Sequence, residues 1–240
     1  MNIAIIGYGK MGKTIEKIAL QRGHHIVMKI DNENKGEFTI ENLKKEKVDL
    51  AIEFTNPESA FANITKCFEA GVKVICGSTA WLADWDKAIA SLNEHKGTMI
   101  YASNFSVGVN IFFAVNKRLA ELMDSQWDYD VSMKEIHHTS KVDAPSGTAI
   151  TLSEGISEHL KRKSGWSKNI EATDKVHIKS VRVDSAPGTH KIKYSSSIDE
   201  IDIIHKAKSR DGFAQGAVMA AEFLHNKEGL FTMADVLGIG

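Results

Sequence analysis

An α/β fold in two parts is predicted: a parallel sheet interleaved with helices, then a smaller α+β unit on a mixed sheet with one open face. Three observations predict it. Apolar runs of strand length alternate with helical periodicity from residue 2 to about residue 102. Beyond about residue 107 strand-like runs follow one another, with one clear helix, near 146–162, among them. Within those runs His190, Ile192 and Tyr194 face one way while Lys191 and Lys193 face the other, as in a sheet covered on one side only.

Taken in order, Asn2–Ile6 is an apolar strand that runs into Gly7-Tyr8-Gly9-Lys10-Met11-Gly12. Met11, Ile15, Ile18 and Ala19 then share one helical face, and Gly23 stops that helix. A second strand, 25–30, ends at Asp31, about 19 residues past Gly12. Glycines so spaced between strand and helix permit a tight turn and the close approach of a pyrophosphate to the helix N-terminus. An acid at the end of the next strand accepts hydrogen bonds from a ribose diol. The spacing therefore predicts a dinucleotide-binding Rossmann unit. Strands at 48–54, 72–76 and 98–102, with helices at 57–70 (opened by Pro57) and 81–95, complete five parallel strands with helical crossovers.

In such sheets ligands lie outside the carboxyl ends of the strands. Those ends carry Thr55-Asn56, Gly77-Ser78-Thr79 and Ser103-Asn104-Phe105-Ser106, small polar groups suited to a nicotinamide ribose or carboxamide.

After Val107-Gly108-Val109-Asn110 a helix is expected to run to about Met123. Strands at 129–136, 176–183, 190–195 and 201–207 build the second sheet, which sets a substrate-handling domain at 107–212. The polar loop 164–173, with Trp166 in it, is the segment expected to move most. An alanine-rich helix at 213–224 and a short element at 229–237 close the chain.

The composition narrows the function. With 42% hydrophobic and 25% charged residues, the 240-residue chain is ordinary globular material. A net charge of −1 gives no ground for nucleic acid or an anionic membrane as partner. The first apolar run lacks a basic leader and breaks at Gly7, and no run reaches transmembrane length, so neither a signal peptide nor a membrane span is expected. Cys67 and Cys76 lack metal-ligand spacing and read as buried, reduced thiols of a cytoplasmic protein.

The chemistry concentrates at 135–149, Glu-Ile-His-His-Thr-Ser-Lys-Val-Asp-Ala-Pro-Ser-Gly-Thr-Ala. Two histidines, a lysine four residues after the first, and a Ser-Gly-Thr turn close a strand-like run. Pro145 stiffens the loop. Ser146 is placed to cap a helix whose apolar positions are Ala149, Leu152, Ile156 and Leu160, and a helix start of this kind binds carboxylate or phosphate. The loop suits an anionic substrate that needs a proton. Histidine has the pKa for such a transfer near neutrality, Lys141 supplies a cation, and Ser146, Gly147 and Thr148 supply neutral donors. If 137–141 turns helically, His137 and Lys141 share a face. No metal is expected, since adjacent histidines seldom chelate one ion and no carboxylate or thiol stands at ligand spacing. The basic run Lys206-Lys208-Arg210 reads as a solvated face with Arg210 a candidate anion contact, and the remaining histidines, His190 among them, read as structural.

The glycine loop, the stretch 104–110, the run 135–149, and 206–210 with 213–218 together make the chain resemble the 4-hydroxy-tetrahydrodipicolinate reductase (dihydrodipicolinate reductase) family of the diaminopimelate route to lysine. The resemblance spans essentially the whole chain. It implies a Rossmann domain of residues 1–106 completed by 213–240, and a domain at 107–212 whose sheet builds a homotetramer. It implies reduction, with loss of water, of a small cyclic dicarboxylate by NADH or NADPH. By that likeness His137 is the proton donor and acceptor, Lys141 the second catalytic group, and His138, Gly147 and Thr148 substrate contacts, with Ser146 in the same turn. Gly7, Tyr8, Gly9, Lys10, Met11, Gly12, Asp31, Gly77, Ser78, Thr79, Ala102, Ser103, Asn104 and Phe105 are its cofactor contacts. Two positions depart from the family pattern: Gly77-Ser78-Thr79-Ala80 replaces Gly-Thr-Thr-Gly, and Asn32 stands where a basic residue is frequent. Two rival functions remain, a semialdehyde dehydrogenase, which needs a nucleophilic cysteine, and a redox-sensing nucleotide binder, which has no use for the 135–149 loop.

Overall fold

The computed structural model of the chain describes residues 1–209 and 211–239, so Arg210 lies outside the described residues. The chain divides into two compact units, Met1–Val107 with Asp211–Gly240, and Gly108–Arg210.

The first unit opens with five parallel strands, β1 (Asn2–Ile6), β2 (His25–Ile30), β3 (Leu50–Glu53), β4 (Lys73–Cys76) and β5 (Met99–Tyr101). Their order across the sheet is β5-β4-β3-β1-β2. β3 is buried along its whole length, as a strand covered on both faces must be. Under one face, helices α2 (Ile40–Lys45), α3 (Pro57–Glu69) and α4 (Trp85–Glu94) pack Leu43, Ile64, Phe68 and Leu92 against Ala4, Ile6 and Val74. On the other face Ile3, Ile5, Ile52 and Ile75 meet Ile15 and Ala19 of α1 (Lys10–Gln21). Asn56 caps α3 through its side chain, with Pro57 in the first turn, as the sequence implies. The short α2 is absent from the sequence reading. It holds by a Thr39 cap and one buried residue, Leu43, too little for a periodicity argument to detect.

The second unit contains α5 (Val107–Met123), β6 (Asp130–His137), α6 (Gly147–His159), β7 (Trp166–Ser167), β8 (Val176–Arg182), β9 (Thr189–Ser195) and β10 (Glu200–Lys206). Its sheet runs β10-β9-β6-β8-β7, with β6 antiparallel to β9 and parallel to β8. Phe112, Ala120 and Met123 of α5 and Ala149, Leu152 and Ile156 of α6 pack on Val131, Met133, Ile178, Ile192 and Tyr194. The loop expected to move most contains β7, which pairs with Val176 and His177.

The chain then returns to the first unit through α7 (Asp211–Leu224), β11 (Leu230–Phe231) and α8 (Met233–Leu237). β11 adds a sixth parallel strand beside β5, and the alanines of α7 pack on the same face as α1.

The second sheet is covered on one side only, as its alternation implies, but an assignment of Ile192, Tyr194, Ile201 and Ile203 to the side left open for other subunits is corrected. Ile192 and Tyr194 are fully buried beneath the helices, and Ile203 packs on that same core. Strand alternation instead turns Lys134, Ile136, Lys191, Lys193 and Ile204 outward, with Lys191 paired to Asp202 at 2.5 Å. The physical reason is parity: the apolar set is the one that α5 and α6 need.

Candidate active site

The first unit presents a cleft of about 660 Å³ at the ends of its first three strands, lined by Gly7, Tyr8, Gly9, Asp31, Phe54 and Asn56 among others. It lies where the strand order reverses, with β2 on one side of β1 and β3 on the other. Gly7 has φ +97, and a Cβ there would stand 2.0 Å from the Phe54 carbonyl oxygen, so only glycine fits. Gly12 allows α1 to approach that turn, since a Cβ on it would meet the Gly7 carbonyl oxygen at 2.5 Å. Gly9 is the N-cap of α1 with no side chain to satisfy the first N–H groups, a Cβ on it would meet open space, and the first turn carries no acid. That cradle fits a pyrophosphate. The Asp31 Oδ1 accepts from the backbone N–H of Glu33 at 2.8 Å and of Asn34 at 3.3 Å, which fixes the carboxylate at the cleft. The residues present therefore fit a dinucleotide.

The side chains of several other predicted cofactor contacts turn inward. Met11 packs into the core. The Ser78 hydroxyl is buried and accepts from the Thr55 N–H at 2.8 Å, so it holds the β3 turn. Phe105 is buried with its ring 5.7 Å from that of Phe54, and the Asn104 side chain accepts from the Ser106 N–H at 2.9 Å. The side chains of Ser78, Asn104 and Phe105 thus brace the turns after β4 and β5. Gly77, Thr79, Ala102 and Ser103 stand at those same strand ends, with Thr79 and Ser103 exposed, and Lys10 is exposed at the start of α1. Lys35 lines the same cleft as Asp31, and the sequence reading missed Glu53, a fully buried acid that accepts from the Thr55 hydroxyl and N–H.

In the second unit His137 is the last residue of β6, and the helical option for 137–141 is not taken. Thr139 and Ser140 form a turn closed by the Lys141 N–H on the His138 carbonyl oxygen at 3.1 Å. Lys141 pairs with Asp143 at 2.8 Å, and the peptide bond Ala144–Pro145 is cis. Ser146 caps α6, its Oγ accepting from the Ala149 N–H at 3.2 Å. Ser146 is itself buried and braces the start of the helix. Gly147 is exposed and Thr148 and His138 half-buried at the mouth of the loop.

Behind His137 lies a group that sequence spacing does not reveal. Strand register sets Glu135 opposite both His190 of β9 and Ser180 of β8, and His137 opposite Arg182. Glu135, only 1% exposed, has its Oε2 3.4 Å from His137 Nδ1 and 3.9 Å from His190 Nε2, and accepts from the Ser146 N–H at 3.1 Å. The Arg182 guanidinium lies 3.3 Å from Oε1 and donates to the carbonyl oxygens of Lys141 at 3.2 Å and Asp143 at 2.5 Å. Glu135, His137 and His190 bring ligand-type atoms within 4.8 Å of one another, but Arg182 already supplies the cation facing the carboxylate, and we assign no metal to them. Gly188 has φ +145, and a Cβ there would sit 3.3 Å from His137 Nε2, so a glycine leaves room for the ring.

The electrostatics follow from burial. Burial opposes ionisation of Glu135, but the polar groups of Ser146 and Ser180 and the charge of His137 outweigh it, and its pKa is lowered. Burial lowers the pKa of His137, opposed by Glu135 and reinforced by Lys141 and Arg182. Burial and the neighbouring His137 push His190 from 6.5 down to about 4. Since the folded state refuses a proton that the unfolded chain accepts, stability should be constant above pH 6.5 and fall as pH drops towards 4, by roughly 3 kcal/mol from His190 alone. Urea denaturation of wild type and His190→Gln across pH 4–8 checks this; parallel curves for the two proteins would contradict it.

Comparison with known proteins follows the same division. Family models described as dihydrodipicolinate reductase match the chain in two parts, the N-terminus over residues 1–105 and the C-terminus over 108–237. A protein of Christiangramia forsetii named 4-hydroxy-tetrahydrodipicolinate reductase is 49% identical over 239 residues, covering 99% of this chain and 98% of its own. One of the same name from Buchnera aphidicola subsp. Schizaphis graminum is 36% identical, over 82% of this chain and 74% of its own. Among solved structures, the dipicolinate-bound dihydrodipicolinate reductase of Paenisporosarcina sp. TG-14 shares the fold, with a TM-score of 0.76 at 22% identity over 98% of each chain.

Proposed function

The chain belongs to the dihydrodipicolinate reductase family, and from that premise we propose that it reduces 4-hydroxy-tetrahydrodipicolinate, with loss of water, to tetrahydrodipicolinate in the diaminopimelate route to lysine. The carrying observation is His137, buried at a strand end beside an ionised Glu135 and followed by Lys141 and the start of α6. Bound NADH or NADPH supplies the hydride. This chain's residues do the rest. Lys141 and the N–H groups opening α6 hold the two carboxylates, as suits a dicarboxylate such as the dipicolinate of the Paenisporosarcina protein. Loss of the 4-hydroxyl as water needs an acid. So does the electron-rich enamine that remains after reduction, which must gain a proton on carbon. Burial keeps His137 largely neutral in the free protein, and an arriving dianion raises its pKa, so it takes up a proton as substrate binds and delivers it to the ring.

The rivals fit less well. Cys67 and Cys76 are both buried and burial pushes their thiols up, so neither is the nucleophile that a semialdehyde dehydrogenase needs. Free cysteines of this kind agree with a cytoplasmic enzyme. The test is cofactor oxidation followed at 340 nm after adding the precursor. NADH should serve at least as well as NADPH, because a 2′-phosphate in this cleft would meet the Asp31 carboxylate and Asn32 adds no charge, although Lys35 moderates the repulsion. No oxidation with either cofactor would sink the activity, and a kcat/KM for NADPH more than about tenfold higher would sink the preference.

For assembly, we read the outward face of the second sheet as the surface that builds a homotetramer. It carries Ile136 and the 57%-exposed Ile204 among Lys134, Lys191 and Asp202, so a second copy meets both apolar side chains and opposite charges. Among the described residues no helix is long and apolar enough to cross a membrane. Light scattering at micromolar concentration should give four times the chain mass, and Ile204→Asp should lower it; a monomeric wild type would refute this surface.

A further inference from the structure

Glu135, His190 and Gly188 have no part in the chemistry above, yet all three surround one imidazole. His137 Nδ1 is buried without a hydrogen bond of good geometry, and the carboxylate of Glu135, 3.4 Å away, is the acceptor facing it. The His190 ring meets the His137 ring edge-on at a centroid distance of 5.1 Å. His190 is in turn held by Ser146, its Nε2 lying 3.2 Å from the Oγ that caps α6. Glu135 accepts from the Ser146 N–H as well, so the strand end, the helix start and the second histidine share one buried centre.

We propose that Glu135 and His190 are positioning residues for His137: the Glu135 carboxylate holds the proton on Nδ1, His190 fixes the ring plane, and Nε2 is thereby left as the atom that exchanges protons with substrate. The proposal rests on the reading of His137 as the proton donor, and it adds the tautomer and the groups that set it. A carboxylate that orients an imidazole and stabilises its cation, without itself taking the proton, is a known solution to the same problem in hydrolases. The charged and titratable groups facing His137 are Glu135 on its own strand, Arg182 on β8, His190 on β9, and Lys141 and Asp143 in the loop, while His205 of β10 acts on His190. Of these Glu135 and Asp143 raise the pKa of His137, and only Glu135 is buried against it. Removing the Glu135 charge must therefore lower the affinity of His137 for its proton, whatever else it does.

The experiment is a titration of the histidine ring signals by NMR in the full-length protein labelled at histidine, with kinetics alongside. In wild type the neutral form of His137 should carry its proton on Nδ1, which the ring nitrogen shifts report without any mutation. Glu135→Gln keeps the shape but has a single acceptor oxygen, so it retains the bond from the Ser146 N–H or from Arg182 and not both, and it should move the His137 midpoint to lower pH. The alkaline fall of kcat should move with it, so that kcat drops roughly tenfold or more at pH 8 and recovers towards pH 6, with KM within about twofold. Glu135→Asp should restore part of the shift. His190→Gln, which keeps a donor towards Ser146, should lower kcat several-fold without raising KM. A wild-type Nε2–H tautomer overturns the proposal, and so does an unmoved His137 midpoint in Glu135→Gln. Failure of the donor role itself shows separately, as an active His137→Ala, because tautomer and midpoint are read without turnover.

Discussion

His137→Ala should lower kcat by roughly 10²–10⁴-fold, the usual contribution of general acid–base catalysis, and leave NADH affinity unchanged. On the proposed reading the imidazole is the group that protonates carbon, and alanine removes it. Cofactor affinity survives because the glycine cradle and Asp31 belong to the other unit. Two comparisons sharpen the expectation. Lys141→Ala removes a cation that both holds the dianion and stabilises the polarised ring, so kcat should fall and KM rise together. Thr148→Ala removes a hydroxyl worth on the order of 1 kcal/mol, or more against a carboxylate, so KM should rise several-fold with kcat retained. Steady-state kinetics with cofactor titration decide among these. If His137→Ala keeps a near-normal kcat and loses only KM, the histidine binds substrate and the proton comes from elsewhere.

What the sequence discloses here depends on how far apart the cooperating residues stand in the chain. The nucleotide cradle is legible because its parts are local: a strand, three glycines and a helix act within Asn2–Gln21, and the acid closes the next strand. The α6 cap and its four apolar positions are legible for the same reason. The inward side chains of Ser78 and Phe105 are not legible, because a small polar turn at a strand end looks the same whether its side chains face outward or fold under a neighbour. Glu135 and His190 are 55 residues apart, and only the antiparallel register of β6 with β9 makes them partners. His190 read as structural because a lone histidine in an alternating strand carries no mark of what stands opposite. The alternation of β9 is plain in the sequence, but which face the helices take follows from the apolar stripes of α5 and α6, and those stripes claim Ile192 and Tyr194 for the core. Arg182 went unnoticed in the same way, as one cation in a mixed strand, until the register with β6 set it across from His137.

Arg182→Ala should destabilise the second unit by about 3 kcal/mol and should also loosen the loop that carries Lys141. The guanidinium is the cation that faces the buried Glu135 carboxylate, and it ties down both ends of the 141–143 segment through their carbonyl oxygens. Alanine leaves a carboxylate only 1% exposed with no fixed positive charge beside it and two loop carbonyls without their donor. The figure is set at the low end for a broken buried pair because Arg182 keeps 21% of its side chain in solvent. Arg182→Lys keeps the charge and loses the fork, so it should recover part of the stability but not the substrate KM, which depends on where Lys141 is held. The sign of the pH dependence separates a charge effect from lost packing. In wild type the Glu135 pKa is lowered, so its contribution is present above the ordinary carboxylate range and disappears as pH falls through the folded value. Without Arg182 the folded pKa moves upward, the folded state accepts a proton more readily, and the stability gap between variant and wild type should narrow as pH falls from 7 towards 5. Denaturant unfolding of both proteins at a series of pH values measures that gap. A gap that stays constant across the range would mean that Arg182 acts through packing and its carbonyl contacts, with no electrostatic part in holding Glu135 ionised.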